Sequence, residues 1–518
     1  MSKIVYLPLD ERPCNAKYPV LLAEIGGLAL TAPPAALLGS KKEPAAYTGI
    51  AEWLLAETAS AERLIVSLDM LVYGGIVPSR LHKLSPGECA ERLATLAACK
   101  ARNPRLQIDA FNLIMRAPAY NNNDEEPDYY GEFGARLQRV GSLTDKAERE
   151  ALTEEEAGEF TRLGAEIPAE VLADFTGRRA VNAGVNQLAI DYAREGIIDH
   201  LVIPLDDNAQ YGYTAMEQRK LLFQVEAERL MDRVLIYPGA DEIGCTLLAR
   251  VFCELKGYKP EVFIRYSSTQ GPFVIPRYED RSLNESIKAH LTAAGVFITD
   301  SAAEADFVLM VNAPPVGQAE AAETSHLYRE RHRTYFSEVN LAEFVQAIQV
   351  YARKGKFVAL ADVATANGAD EPLMQLLAQT GGLGDLSAYA GWNTSGNTLG
   401  TVIAHAVIAS YAGRAASAGA AESDDSRRFL LYRLLEDWGY QSNVRAAVNK
   451  EALDSDNTVN SPAPAERFER VHAFIEAELN TFHSRYLAGA LPCPARVGRV
   501  TLPWKRTFEV NFELLPLD

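Results

Sequence analysis

Two adjacent aspartates, Asp206 and Asp207, end a short apolar run in the sequence LVIPLDDN (residues 201–208). Two carboxylates this close cannot both ionise cheaply, so one is expected to stay protonated while the other is an anion. Cleavage of a glycosidic bond needs such a pair, because an acid protonates the leaving oxygen while a second group stabilises the positively charged sugar centre. The alternative interpretation is a strand end whose aspartates cap the following helix.

A second acidic pair, Asp241 and Glu242, follows the next apolar run in the sequence PGADE (residues 238–242). These two side chains are candidates for a second acid–base pair. With Asp206 they are also candidate oxygen ligands for a divalent cation. The structural alternative is a turn at Gly239 followed by a helix that Asp241 caps.

Polar residues after other apolar runs are candidate substrate contacts. Asp10 and Arg12 lie in PLDERPCN, and an arginine fork can bind a carboxylate or hydroxyls through two parallel hydrogen bonds. Asparagine and tyrosine side chains suit polyhydroxylated ligands, since amides form paired hydrogen bonds and aromatic rings cover apolar sugar faces. The other candidates of this kind are Asp69, Asn112, Arg116, Asn208 and Tyr211. For all of them, a solvated loop or a tie between strands is the structural alternative.

The sequence YAGWNTSGNTLG (residues 389–400) is the clearest motif of the second half of the chain. It predicts a strand, a glycine-containing turn and a helix whose first N–H groups could bind a polar ligand. Trp392, Asn393 and Asn397 are the candidate contacts. The motif lacks the lysine of a P-loop and the GxGxxG spacing, so it does not indicate nucleotide binding.

The elements that position these residues are predicted to be parallel strands alternating with helices. Six apolar runs stop on charged or amide side chains, and a shorter run covers residues 28–33; the six are residues 4–12, 64–69, 108–116, 201–208, 234–242 and 262–266. Repeated strand–helix units favour a parallel sheet with right-handed crossovers. Seven consecutive units favour a (β/α) barrel over an open sheet, because open doubly wound domains usually stop at five or six strands.

The chain is predicted to contain three regions. Residues 1–271 form a barrel-like catalytic domain with a polar insertion at 117–178, which is typical of a lid or rim extension. Residues 272–414 form a smaller Rossmann-like or flavodoxin-like α/β domain, and its first run, FVIP (residues 273–276), is a candidate eighth barrel strand. After a linker at 412–426, residues 427–518 form a helical region that ends in two strands.

Composition excludes several classes of partner. The chain has 518 residues and a net charge of −18, which disfavours nucleic acid and anionic membrane surfaces as partners. The sequence has no signal peptide and no apolar run of about 18 residues, so a cytoplasmic protein is expected. The six cysteines are scattered and are expected to be free thiols. Oligomeric state stays open.

Histidine spacing gives no sign of a metal site. None of the eight histidines forms an HxH, HExxH or HxxxH pair at a strand end, so no metal or other cofactor is expected. The alternative is Mg²⁺ or Mn²⁺ bound by Asp206, Asp241 and Glu242.

Six motifs carry a resemblance to a known family. LPLDERPCN, SLDMLVYGGIVPSR, MRAPAYNNNDEEPDYY, IPLDDNAQYG, YPGADEIG and AYAGWNTSGNTLG resemble, over nearly the whole chain, the bacterial domain-of-unknown-function family numbered 4127. This resemblance implies no particular activity. The paired aspartates are also similar to those of barrel N-acetylhexosaminidases, in which neighbouring aspartates carry out substrate-assisted hydrolysis. That likeness covers only the Asp–Asp pair and the repeated strand–helix units, so it is an analogy at the level of the fold.

The sequence therefore predicts a glycoside hydrolase, or a related carbohydrate-active enzyme, that acts on a small-molecule or oligosaccharide substrate. Two alternatives stay open: a hydrolase or lyase assisted by a divalent metal, and a non-catalytic two-domain protein that binds a small molecule. Carboxyl groups about 5 Å apart would indicate a retaining glycosidase, and groups about 6.5–9.5 Å apart an inverting one.

Overall fold

The computed structural model describes residues 2–317, 321–323, 327–416, 424–452, 465–491 and 493–517. The chain divides into two compact units. Unit 1 comprises Met1–Val20, Leu28–Leu247 and Tyr278–Arg281, and unit 2 comprises Leu21–Gly27, Leu248–Arg277 and Ser282–Asp518. The mixed α/β class with parallel sheets, expected from the alternating apolar runs, is confirmed.

Unit 1 contains a six-stranded sheet in which every neighbouring pair is parallel. Its strands are β1 Lys3–Leu7, β2 Ala29–Thr31, β3 Arg63–Ser67, β4 Gln107–Phe111, β5 His200–Leu205 and β6 Val234–Pro238. Their order is β2-β1-β3-β4-β5-β6. All five residues of β3 are buried, as expected for a strand that helices cover on both faces.

The strands of unit 1 are joined mainly by helices. These are α1 Pro13–Ala16, α2 Tyr18–Ile25, α3 Tyr47–Glu57, α4 Leu68–Tyr73, α5 Ile76–Leu81, α6 Pro86–Leu93, α7 Thr95–Arg102, α8 Tyr130–Arg149, α9 Glu154–Glu166, α10 Ala169–Arg194, α11 Tyr213–Ala227 and α12 Ile243–Lys256. The division between the units falls inside α2 and inside α12. A capping box begins α6, where Ser85 and Glu88 bond each other's backbone N–H.

The expected closed barrel is wrong for unit 1. The sheet has two ends, β2 and β6, and no ladder among the described residues joins them. Two further strands counted for the barrel are also corrected. Residues 261–266 form β7 of the other sheet, and the run FVIP begins in a 3₁₀ turn, Gly271–Phe273, and forms no strand. The repeated apolar runs indicate how many strand–helix units the chain has. They do not indicate which strands pair with each other, and that pairing decides between a closed barrel and an open sheet.

The insertion predicted after β4 is helical and has its own small core. It contains α8, α9 and the first part of α10, and Tyr130, Leu137, Leu143 and Phe175 are buried together between them. Its predicted limit at residue 178 lies inside α10, which runs unbroken from Ala169 to Arg194. The same helix then packs Val185, Ala189 and Ile190 into the main core of unit 1.

Unit 2 contains a five-stranded parallel sheet with the order β13-β11-β9-β7-β8. The strands of this unit are β7 Glu261–Tyr266, β8 Phe297–Ile298, β9 Phe307–Asn312, β10 Ala322–Glu323, β11 Phe357–Asp362, β12 Thr365–Ala366, β13 Ala388–Ala390, β14 Ala495–Thr501 and β15 Asn511–Pro516. Two short strands, β10 and β12, pair with each other. The two runs expected near the C-terminus form an antiparallel pair, β14 with β15.

The helices of unit 2 lie between these strands and after β13. They are α13 Leu283–Ala294, α14 Thr334–Ser337, α15 Leu341–Arg353, α16 Glu371–Thr380, α17 Ser395–Ala416, α18 Asp424–Arg433, α19 Arg445–Ala447 and α20 Ala465–Phe482, with π-helical turns at Leu434–Val444, Val448–Ala452 and His483–Leu487. Of the linker expected at 412–426, residues 417–423 lie outside the described residues. None of the described helices has the length and apolar character needed to cross a membrane.

Candidate functional site

Parallel strands bring the candidate residues of unit 1 to one edge of its sheet. Asp10 and Asp241 follow β1 and β6, Asp69 follows β3, and Asn112 and Asp206 follow β4 and β5 directly. The connections from β1 and β3 run in opposite directions across the sheet. In open α/β sheets, ligands bind outside the carboxyl ends of the strands at such a switch point.

The first cluster on this edge surrounds Arg12. Its guanidinium donates to Asp10 from Nε at 2.9 Å and Nη2 at 2.6 Å, and to Asp241 from Nη1 at 3.3 Å and Nη2 at 2.5 Å. Asn15 donates from Nδ2 to both carboxylates, at 3.0 and 3.1 Å. All four residues are at most 5% exposed. The cluster therefore pairs both buried carboxylates with donors, as buried charges require.

Glu242 has a different set of partners from its neighbour Asp241. Its Oε2 accepts a hydrogen bond from the backbone N–H of Ala240 at 2.9 Å, inside the loop that follows β6. Because Arg12 holds Asp241, these adjacent carboxylates differ in their surroundings. Asp10, Arg12 and Asp241 thus lie together, whereas Glu242 accepts a hydrogen bond within the loop that follows β6.

The second cluster joins Asp206 and Asp207 to two arginines. Arg80, on α5, donates from Nη2 to Oδ2 of Asp206 at 2.7 Å. Arg116 donates from Nη1 to Oδ2 of Asp207 at 3.4 Å. Arg80 is 2% exposed and Asp206 is 7% exposed, so their ion pair is buried. The guanidinium of Arg80 thus gives the buried carboxyl of Asp206 a charged hydrogen-bond donor.

Glu125 and Glu126 connect the two arginines. Arg80 Nη1 donates to Glu125 at 2.9 Å and to Glu126 at 3.3 Å. Arg116 donates from Nε to Glu126 at 2.9 Å and from Nη2 to Glu125 at 3.2 Å. Its Nη2 also donates to the hydroxyl of Tyr120 at 2.9 Å. The acidic loop before α8 is thereby tied to the side chains around the paired aspartates.

Asp207 differs from Asp206 in backbone, exposure and charge. Its φ of 42° lies in the left-handed region, which costs a non-glycine residue about 1–2 kcal/mol. Its side chain is 22% exposed. Burial among neighbouring atoms and the adjacent Asp206 raise the pKa of Asp207 to about 6, although Arg116 and Arg80 oppose the rise. About half of the Asp207 carboxyls are therefore protonated at pH 6, and the partly exposed side chain can reach a ligand.

Asp69 is the second carboxyl of this edge with a raised pKa. It is 2% exposed, and burial raises its pKa to about 7, against hydrogen bonds from the N–H of Leu113 at 2.9 Å and from Asn112 at 3.2 Å. The charge of Asp206 adds to the rise. On the other side, Asn186 of α10 donates to Oδ1 of Asn112 at 2.8 Å. Asn112 is thereby fixed between the sheet and α10.

Asn208 and Tyr211 follow Asp207 but have different environments. The N–H of Asn208 donates to the carbonyl of Tyr278 at 2.8 Å, while its buried Nδ2 has no hydrogen-bond acceptor. A buried amide donor without a partner costs about 1–3 kcal/mol, which a ligand oxygen would recover. Tyr211 instead donates to Glu150 at 2.5 Å, at the end of α8. The structure therefore places Asn208 with the aspartates and directs Tyr211 toward the insertion.

Trp392, Asn393 and Asn397 lie in unit 2, after β13. Trp392 is 5% exposed and packs edge-on against Phe508, with ring centroids 5.9 Å apart. Asn393 has a left-handed φ of 62°, and Asn397 is 4% exposed in the first turn of α17. These three residues belong to the carboxyl edge of the second sheet, and the paired aspartates belong to the first.

Several members of the two clusters were not among the predicted site residues. Asn15 donates to Asp10 and Asp241, and Arg80 donates to Asp206. Glu125 and Glu126 accept from Arg80 and Arg116. A signal for them exists, because each lies in one of the six motifs quoted above. The sequence does not indicate that Glu125 and Glu126 are held in a buried network, because an acidic run such as residues 124–126 is ordinarily a solvated loop.

No three His, Cys, Asp or Glu side chains of the described ranges come together in a way that could hold a metal ion. One cavity, of about 200 Å³, lies between α10 and α11. Its lining includes Arg179, Tyr213 and Glu217 but none of the predicted site residues.

The fold and these contacts define a mixed α/β protein with parallel sheets and a network of buried carboxylates and guanidiniums on one sheet edge. The model of a family described as a protein of unknown function (DUF4127) matches residues 4–513. The chain belongs to this family. Neither the curated proteins nor the solved structures include a match to it.

Proposed function

We propose that the protein is a glycoside hydrolase, or a closely related carbohydrate-active enzyme, with its reactive centre at Asp206 and Asp207. One observation carries the proposal. The two neighbouring carboxyls differ, because Arg80 pairs closely with the buried Asp206 at 2.7 Å. Asp207 lies 3.4 Å from Arg116, is partly exposed and has its pKa raised to about 6. An anion beside a protonated acid is what hydrolysis of an acetal requires.

In this proposal Asp207 is the general acid. It donates its proton to the glycosidic oxygen as the bond between that oxygen and the anomeric carbon breaks. Asp206 stabilises the positive charge on the sugar, either directly or by orienting an acetamido group of the substrate. Water then adds to the anomeric carbon and returns a proton to Asp207, which restores the starting state.

The neighbouring polar groups then have the role of substrate contacts. Asn208 supplies an unused Nδ2–H donor for a ligand oxygen, and Arg116 lies beside Asp207. Tyr120 is 43% exposed and can cover the apolar face of a sugar ring. Arg12, which Asp10 and Asp241 hold, has the role of a fixed positive group on the same sheet edge.

The metal-assisted and non-catalytic alternatives stay predictions. The first would require Asp206, Asp241 and Glu242 to share one cation. Asp206 and Asp241 each face a guanidinium at 2.7 and 2.5 Å, and a cation would have to displace it. Glycoside hydrolysis would require no such displacement, because Asp206 and Asp207 would act while keeping their present contacts.

A panel of aryl glycosides tests the proposal directly. Turnover by the wild type is compared with turnover by Asp207→Asn, which keeps the shape of the side chain but removes its proton. Loss of a general acid lowers kcat/KM by about 10²–10⁴-fold. The loss should be greatest for poor leaving groups, which depend most on protonation.

The matched control is Asp232→Asn, whose side chain is 71% exposed in the same unit. It should keep wild-type turnover. Equal turnover by wild type and Asp207→Asn on every substrate that the wild type cleaves would end the assignment of Asp207. Absence of turnover on the whole panel would remove glycoside hydrolysis itself.

A further inference from the structure

A second set of buried polar side chains lies at the carboxyl edge of the sheet in unit 2. Asn312 and Asp362 end β9 and β11 and pair in register. Tyr389 of β13 pairs with Leu360, two residues before Asp362. Side chains two positions apart on a strand point to the same face, so Asn312, Asp362 and Tyr389 share one face of the sheet. Each is at most 1% exposed.

Asp370 and Arg331 complete this set, which we call the second-sheet cluster. Asn312 donates from Nδ2 to Asp362 at 2.9 Å and to Asp370 at 3.2 Å. The N–H of Asp370 donates to Asp362 at 2.8 Å, and Arg331 donates to Asp370 at 2.5 Å. Asp370 is the N-cap residue of α16, yet its carboxylate makes no cap hydrogen bond. Its oxygens are directed into the cluster instead.

Within the part of the chain that the structure describes, three buried polar atoms of the cluster have no hydrogen-bond partner. They are the hydroxyl of Tyr389, Oδ1 of Asn312 and Nε of Arg331. The Tyr389 hydroxyl is 2.6 Å from the point where a Cβ on Gly391 would lie, and the Cβ of Asp362 is 3.4 Å from that point. The hydroxyl therefore points toward the carboxylate end of β11. Each such atom costs about 1–3 kcal/mol if it stays unpaired.

The charges of the cluster are also unbalanced. Asp362 and Asp370 bring two carboxylates, and Arg331 brings one guanidinium. Burial, and after it the neighbouring Asp370, raise the pKa of Asp362 to about 7, so a bound cation would compete with a proton at this carboxyl. The adjacent Asp437 accepts from the N–H of Gly391 at 2.8 Å and pairs with Arg433. Arg433 also pairs with Glu436 at 2.8 Å, so it adds no spare positive charge to the cluster.

Two loops cover this edge of the sheet. The N–H of Asn367, after β11, donates to the carbonyl of Asn393, after β13, at 3.0 Å. Both asparagines have left-handed φ angles, 64° and 62°, and both are partly exposed. Asn367 also donates from Nδ2 to Glu323 at 2.8 Å, so this loop is held by more than its contact with Asn393. Entry of a ligand between the two loops requires the Asn367–Asn393 hydrogen bond to open.

We propose that the second-sheet cluster binds a small organic cation that carries a primary ammonium group and a neighbouring hydroxyl, as in an amino alcohol or an amino sugar. The ammonium N–H groups would donate to Oδ1 of Asn312 and to the two carboxylates, and its charge would balance theirs. The ligand hydroxyl would accept from Tyr389 or from Arg331 Nε–H. Water could fill the same hydrogen bonds, but Asp362 would then need a proton to balance the charge.

A thermal unfolding series on the full-length protein tests this site at one neutral pH and constant ionic strength. The probes are 2-aminoethanol and glucosamine, with tetramethylammonium, sodium and N-acetylglucosamine as comparison solutes. The two amines should raise the Tm of the wild type by about 3 °C once they exceed their Kd about tenfold. The comparison solutes should leave it unchanged, because they lack either the charge or the N–H donors.

Three variants decide the outcome. Asp362→Asn should lose the response to amines, and Asp300→Asn, an exposed aspartate of the same unit, should keep it. If Asp362→Asn does not fold, Tyr389→Phe decides, since removing an unpaired hydroxyl leaves folding intact and should weaken the response several-fold. A response that is equal for all solutes, or that persists in Asp362→Asn and Tyr389→Phe, would overturn the proposal.

Discussion

Arg12 and Asp241 form a buried ion pair, with Nη2 and Oδ1 2.5 Å apart, although they are 229 positions apart in the chain. Arg12 follows β1 and Asp241 follows β6, and three strands separate β1 from β6 in the sheet. A flat sheet would hold these strand ends about 19 Å apart. The loops that lead from β1 to Arg12 and from β6 to Asp241 therefore converge at the sheet edge, which collects the polar residues without a closed barrel.

Removal of the Arg12 side chain should strongly destabilise unit 1. Arg12→Met leaves the carboxylates of Asp10 and Asp241 buried without their cation, which costs about 3–5 kcal/mol. Urea unfolding followed by tryptophan fluorescence measures this loss. Lys288→Met is the control, because it breaks an exposed pair with Glu285 and should cost less than about 1 kcal/mol. Similar small losses in both variants would contradict the prediction.

The strand ends are the part of the fold that the sequence predicts well. Each of the six long apolar runs contains an observed strand, because a buried parallel strand needs a continuous apolar run that stops at the sheet edge. The pairing partners are not encoded in that way. Whether β2 lies outside β1 or between β1 and β3, and whether β7 continues the first sheet or begins another, depends on contacts between distant segments.

In the candidate site, too, residues at strand ends could be predicted from the local sequence, whereas contacts between distant segments could not. Asp10, Arg12, Asp206 and Asp241 could be found because each follows a strand. The partner of Asp206 could not be found in this way, since Arg80 lies on α5, 126 positions before Asp206. Glu126, which accepts from Arg80, lies in the insertion. No local pattern distinguishes a glutamate that is 2% exposed from a solvated one.

Asp69 should make the stability of unit 1 depend on pH. Its pKa is raised from 3.8 to about 7, so the folded state keeps this proton up to a higher pH than the unfolded state does. The stabilisation is complete below about pH 4 and is lost as the pH rises through 7, by an amount on the order of 4 kcal/mol. Relative to the wild type, Asp69→Asn should therefore gain stability across this range.

Urea midpoints of the two proteins at acidic, intermediate and neutral pH measure the Asp69 effect. Asp232→Asn should show the same pH dependence as the wild type, because its carboxyl is 71% exposed. A constant difference between Asp69→Asn and the wild type at every pH would mean that the Asp69 carboxyl does not titrate differently on unfolding.

Arg116 should set the pH range in which Asp207 acts as an acid. The pKa of Asp207 is about 6 with Arg116 and Arg80 holding it down, so kcat/KM should fall above that pH. Arg116→Met removes one of these cations and should move the fall to higher pH. The pH profile of kcat/KM on the best aryl glycoside measures the shift. Arg162→Met, an exposed change in α9, should leave the profile in place.

A lower kcat/KM at every pH with an unmoved profile would mean that Arg116 only contacts the substrate. A movement to lower pH would contradict the electrostatic argument, because loss of a neighbouring cation can only favour the protonated form of a carboxyl.

Glu126 should hold the acidic loop, residues 117–129, against the paired aspartates. It accepts from Arg116 at 2.9 Å and from Arg80 at 3.3 Å, and it is 2% exposed. Glu126→Ala should let the loop open locally, and a loss of about 1.4 kcal/mol in local stability raises the open population tenfold.

Limited proteolysis reports this population when closing is faster than cleavage. The cleavage rate within residues 117–129 should then rise about tenfold, while Glu132→Ala, an exposed change in α8, should leave it unchanged. Cleavage that rises equally throughout unit 1 would instead show global destabilisation and contradict a local role for Glu126.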